Sequence, residues 1–83
     1  MQITSDLEMA FANENADIKS VNVNYRDDET ISGFVTKAMF TPLDITLCKH
    51  QHSKGENPYH HLDFDRAIRI TLLYNNGETK TFE

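Results

Sequence analysis

Ala67-Ile68-Arg69-Ile70-Thr71-Leu72-Leu73-Tyr74-Asn75-Asn76-Gly77-Glu78-Thr79-Lys80-Thr81-Phe82 is the stretch that decides the fold. Its first eight residues are the most β-branched and apolar run in the chain, as a strand requires. Asn75-Asn76-Gly77 follows as a hairpin turn, because a type I′ turn needs positive φ at both central residues and Asn-Gly tolerates that best. Glu78 to Phe82 returns as a second strand. Such a hairpin sets the expectation of an antiparallel, mainly β domain.

The rest of the chain extends that pattern. Ile18 to Tyr25 alternates with period two, Val21, Val23 and Tyr25 facing one way and Asn22 and Asn24 the other, so one face should be buried and one wet. Arg26-Asp27-Asp28-Glu29 is the turn into a second strand, Thr30 to about Phe40, where the isolated Gly33 marks a bend or a close backbone approach. Thr41-Pro42 interrupts, since proline cannot donate to a ladder, and Leu43 to Cys48 resumes the alternation as a third strand. A polar loop, about residues 49–60, leads to a fourth strand starting at His61-Leu62-Asp63-Phe64, with a kink at Asp65-Arg66 before Ala67. Ahead of all this, Ser5 can cap a helix and Glu8 can complete a capping box, giving a helix over about residues 6–14 with Leu7, Ala10 and Phe11 on one face and Met9 widening it. The expected architecture is one domain over residues 1–83. A short N-terminal α-helix precedes a five- to six-stranded antiparallel small barrel, Sm-like or SH3-like, over about residues 18–83.

The totals agree. Eighty-three residues with 39% hydrophobic content suit one core and not two, since domains usually run to roughly 100–150 residues. No apolar run approaches the ~20 residues of a membrane span or has the form of a signal peptide, so a cytoplasmic location and no membrane contact are expected. Cys48 stands alone, which removes any internal disulfide. The net charge of −5 is uneven: residues 1–29 carry seven acids against Lys19 and Arg26, and residues 30–83 balance at six of each sign. An acidic end repels phosphates and attracts basic protein surfaces over a Debye length of about 8 Å, so direct nucleic-acid binding is disfavoured there.

Chemistry-bearing groups are few. Cys48, His50, His52, His60 and His61 are good zinc or copper ligands by type, and the first three would share a face if the third strand ran on through His52. One cysteine with four histidines matches no standard ligand spacing, so no metal or other cofactor is assigned. Cys48 beside a histidine lacks an evident electropositive pocket and oxyanion site, and Asp63 with Asp65 read as solvated or paired with Arg66. The three glycines are too scattered to form a phosphate loop. No residue is therefore assigned a catalytic role. Lys37, Lys49 and Lys54 with Phe34 and Phe40 come closest to an RNA-binding set, yet both phenylalanines are expected in the core. What remains is an acidic helix face, Asp6, Glu8, Glu14 and Asp17, as a partner-binding candidate; the same residues also read as an ordinary solvated face.

Three stretches resemble the Rho-binding antiterminator (Rof) family. Ser5-Asp6-Leu7-Glu8-Met9-Ala10-Phe11 is similar to its opening helix, and Val21 to Glu29 followed by Ile31 to Val35 to its first hairpin. Leu62-Asp63-Phe64-Asp65-Arg66-Ala67-Ile68 resembles its fourth strand with one residue extra. Together they touch about a third of the chain. The chain departs from the pattern in its longer helix-to-strand link, in Asp28-Glu29 where Asp-Gly is usual, and in its His-rich loop. The resemblance implies an Sm-like fold and binding to the transcription termination factor Rho, whose basic RNA-binding surface the acidic helix would cover, inhibiting termination. Carried over by residue it points to Asp6 and Glu8, while Glu14 and Asp17 rest on charge alone.

Overall fold

The computed structural model describes residues 1–40 and 43–83. The expected break at Thr41-Pro42 lies outside the described residues, as does the core position expected for the Phe40 side chain. Helix α1 (Ser5–Asn13) and a single 3₁₀ turn (Asn15–Asp17) precede β1 (Ile18–Tyr25), β2 (Thr30–Phe40), β3 (Leu43–Lys49), β4 (Tyr59–His61), β5 (Ala67–Tyr74) and β6 (Thr79–Phe82). The strands form one antiparallel sheet in the order β4-β3-β2-β1-β5-β6. The expected helix and antiparallel sheet are both present. The ladder is open, with β4 and β6 as its edges, so strand pairing among the described residues does not close it into a barrel.

Alternation in β1 builds the core. Val21, Val23 and Tyr25 are buried and pack with Leu7, Ala10 and Phe11 of α1, Ile45 and Leu47 of β3, and Ile70 and Leu72 of β5. Ile18 is buried although its parity is wrong, because the pairing Ile18 with Tyr74 and Ser20 with Leu73 leaves Lys19 as an extra residue that flips the strand. A second bulge, between Asn24–Arg69 and Tyr25–Ala67, leaves Ile68 unpaired and 51% exposed. A third places Thr36 outside the β2–β3 register, and its hydroxyl donates to the Thr46 carbonyl at 3.1 Å. These bulges bend the sheet around its core.

Gly33 has a definite reason to be glycine. A Cβ there would lie 2.3 Å from the Cys48 carbonyl oxygen, so the β2 and β3 backbones meet where no side chain fits.

Several local expectations need correcting. The helix cap is Thr4, not Ser5: the Leu7 N–H donates to Thr4 Oγ1 at 3.2 Å, which leaves Glu8 one position beyond the capping-box site. The fourth strand is Tyr59–His61, and residues 62–66 turn instead of extending, since the Leu62 N–H reaches the Ile45 carbonyl and the Ala67 N–H folds back to Asp63. The turn at residues 75–77 is not type I′. Gly77 has φ +89° while Asn76 keeps negative φ, Gly77 N–H donates to the Tyr74 carbonyl, and Tyr74 N–H donates to Glu78, as in a type I turn with a glycine bulge. The first hairpin repeats this design: Asp28 N–H donates to the Tyr25 carbonyl, Tyr25 N–H donates to Glu29, and Asp28 takes φ +63°. Tyr25-Arg26-Asp27-Asp28-Glu29-Thr30 and Tyr74-Asn75-Asn76-Gly77-Glu78-Thr79 are thus one turn written twice.

These geometries set distinct costs. Gly33→Ala should lose about 3 kcal/mol or more in urea unfolding, because rigid backbone stands in the way. Gly77→Ala should lose about 1 kcal/mol, the cost of a left-handed residue with a Cβ, whereas Asp28→Gly should be neutral or slightly stabilising.

Candidate functional site

The sequence places four acids on one helix; in three dimensions they divide. At about 100° per residue, Asp6 and Glu8 stand on opposite flanks of the buried stripe of α1. Asp6 lines an open groove of about 510 Å³ between α1 and β6, with Met9, Glu14, Lys80 and Phe82 among its walls. Glu14 and Lys80 also line an adjoining groove with Asp17, Tyr74 and Glu78. Asp6, Glu14, Asp17 and Glu78 therefore surround one continuous surface, and Glu8 lies away from it. The single acidic helix face expected from the sequence is replaced by a face shared between helix, 3₁₀ turn and the β5–β6 hairpin.

That surface is organised by Glu14, the residue after α1. Tyr74 Oη donates to Glu14 Oε1 at 2.7 Å, and Lys80 Nζ reaches both carboxylate oxygens at 3.2 and 3.3 Å. The hydroxyl first and the ammonium second hold the Glu14 carboxyl below its ordinary value, and Glu14 in turn raises Lys80. The Lys80 ammonium also lies 5.1 Å from the Tyr74 ring centroid. Behind it the Asn75 N–H donates to the Asp17 carbonyl at 2.8 Å, tying the 3₁₀ turn to the hairpin. Asp6, Asp17 and Glu78 make no ion pair among the described residues, so they supply the surface's uncompensated charge.

Lys80, Tyr74 and Glu78 were not legible as parts of this site. The Lys80–Glu14 pair joins residues 66 apart, and a sequence in which residues 30–83 balance their charge gives no local sign of it.

The remaining groups disperse. His50 bonds Ser20 Oγ at 2.9 Å, His60 bonds the Tyr25 hydroxyl, and His61 bonds Asp44, which Lys37 also holds at 2.9 Å. β3 ends at Lys49, so Cys48, His50 and His52 do not share a strand face. Among the described residues no three His, Cys, Asp or Glu side chains converge as a metal site would need. Cys48 has no histidine partner among the described residues; its thiol donates to the Lys49 carbonyl at 4.0 Å. Asp63 and Asp65 sit in a turn, not on a strand, with the Asp65 N–H donating to Asp63 Oδ1 at 3.1 Å, and Arg66 pairs with Asp27 at 2.8 Å instead of with either. The loop after β3 is tied internally by Lys49–Glu56 at 2.7 Å and by the Ser53 N–H to Glu56 at 2.8 Å.

Phe34 is not in the core but 44% exposed. It pairs across the sheet with Cys48, which pairs with Tyr59, itself 57% exposed, so two aromatic rings flank the thiol in one row. The His50 ring lies 6.0 Å from that of Phe34. Among the described residues no helix is long and apolar enough to cross a membrane. Comparison with known proteins adds no identification: no family model, curated protein or solved structure matches the chain.

The Glu14 carboxylate favours the folded state only while it is charged. Because its pKa is lowered on folding, that contribution is complete above the ordinary value of 4.5 and disappears as pH falls through the lowered one. Glu14→Gln should therefore flatten the loss of stability below pH 4.5, measured by urea unfolding across the acid range, because a neutral amide oxygen replaces the carboxylate that Tyr74 and Lys80 share.

Proposed function

We propose that the chain is a non-enzymatic regulatory binding protein that docks on a basic protein surface through the acidic face between α1 and the β5–β6 hairpin. The observation that carries this reading is the grouping of Asp6, Asp17 and Glu78, each without an ion-pair partner among the described residues, around grooves whose one cation, Lys80, is already held by Glu14. Such a face competes with phosphates for lysine and arginine, and like charges on it reject nucleic acid. Glu8 adds to the field from the far flank of α1 without joining the contact. The resemblance of the opening helix and first hairpin to the Rho-binding antiterminators supplies the partner: Rho, with its RNA-binding surface covered and termination inhibited.

Binding to purified Rho at low salt tests this. The Asp6→Ala, Asp17→Ala, Glu78→Ala triple variant should lose most of its affinity and Glu8→Ala little, with wild-type affinity falling steeply from about 50 to about 200 mM salt as the charges are screened. Equal binding by the triple variant and wild type, or binding indifferent to salt, would sink the proposal.

A second reading, an Sm-like or SH3-like module for RNA, is favoured by the exposure of Phe34 and Tyr59 in one row, since exposed rings can stack on bases. It requires that Phe34→Ala with Tyr59→Ala abolish retention of single-stranded RNA while the acidic-face variants do not.

A further inference from the structure

Tyr25 is 1% exposed, and its hydroxyl meets two segments beyond its own strand, β4 and the turn that follows it. It accepts from the Asp63 N–H at 3.2 Å and bonds Nε2 of His60 on β4. The His60 ring stands edge-on to the Tyr25 ring with centroids 5.5 Å apart, and the Arg66 guanidinium lies 4.6 Å from the centroid of that ring. Arg66 is anchored by Asp27 at 2.8 Å and Glu29 at 3.7 Å in the first hairpin, and its carbonyl accepts from the Arg26 N–H at 3.1 Å. One buried side chain thus fastens the end of β1 to the short edge strand β4 and to the turn over residues 62–66. That turn carries Leu62 and Phe64, both buried.

We propose that Tyr25 and His60 form an acid-sensitive latch: protonation of His60 releases β4 and the 62–66 turn from β1 and uncovers Leu62 and Phe64. A hydroxyl that already accepts the Asp63 N–H has its own proton to give, and neutral His60 Nε2 is the acceptor for it. Protonated His60 has two donors and no acceptor, so the proton of the buried Tyr25 hydroxyl loses its partner.

The charges facing His60 come from every element packed around it. Burial disfavours its charged form most, Lys49 of β3, Arg66 of the turn and the neighbouring His61 act the same way, and only Glu29 of the first hairpin opposes them. The Asp63 carboxylate adjoins the Tyr25 hydroxyl from the turn. With the folded pKa below the ordinary 6.5, the unfolded form binds the proton first. The stabilisation is therefore complete above pH 6.5 and is lost as pH falls through the lowered value.

Two measurements on the full chain test the latch. The His60 ring is titrated by NMR, and amide exchange of Asp63 and Leu62 is followed at about pH 7.5 and about 5.5 after correction for intrinsic exchange. The expected results are a His60 midpoint below 6.5 and protection of these amides reduced by about tenfold at the lower pH, against little change at Val21 and Val23. His60→Gln, which accepts but does not titrate, should keep protection constant across that range. A His60 midpoint at or above 6.5, or an unchanged pH dependence in His60→Gln, overturns the proposal. If the variant fails to fold, the wild-type midpoint and the local confinement of exchange still decide it.

Discussion

The inward row of β1 is the constraint on which the rest depends. β1 is paired on both sides, with β2 and with β5, so Val21, Val23 and Tyr25 must fill the space between the sheet and α1. Removing apolar side chains of this size from water stabilises by about 1.5–3 kcal/mol each, which is large against the few kcal/mol that hold a domain of this length. The helix then needs only a narrow apolar stripe, Leu7, Ala10 and Phe11, and both of its flanks are left to charge. The charged surface beside α1 follows from that economy of the core.

Period-two alternation is a local property, and it is why β1, β2, β3, β5 and β6 were readable at nearly their full lengths. What the alternation could not supply were the bulges. Lys19, Thr36 and Ile68 each add one residue to one strand, and nothing in their side chains marks them, so Ile18 turns inward and Ile68 outward against the simple pattern. Phe34 was misplaced for a related reason: it follows Gly33, whose contact with the β3 backbone fixes the face on which Phe34 emerges. The turn at Gly77 was recognised by composition, while its type depends on the φ of Asn76, which Asn-Gly leaves open.

The candidate site was half legible. Net charge by segment pointed to residues 1–29, and Asp6 and Asp17 do border the acidic face. Glu8 shares their helix or its neighbourhood in sequence but is carried away by the helical rotation, and Glu78 comes from a segment whose charge balances. Glu14 contributes least free charge, since Tyr74 and Lys80 hold it, and its role is to join α1 to β6. Pairs such as Glu14 with Lys80 and Tyr25 with His60 arise from the sheet order β4-β3-β2-β1-β5-β6, which brings residues 66 and 35 apart into contact. Only topology creates them.

The acidic face and the aromatic row lie on different parts of the sheet, and one experiment separates them. Amide chemical shifts of the isotopically labelled chain are recorded as purified Rho is added at low salt. The expected result is broadening or displacement confined to Asp6, Asp17, Glu78, Lys80 and their neighbours, with Phe34 and Tyr59 unmoved. Changes centred on Phe34 and Tyr59, or none at all, would contradict docking through the acidic face.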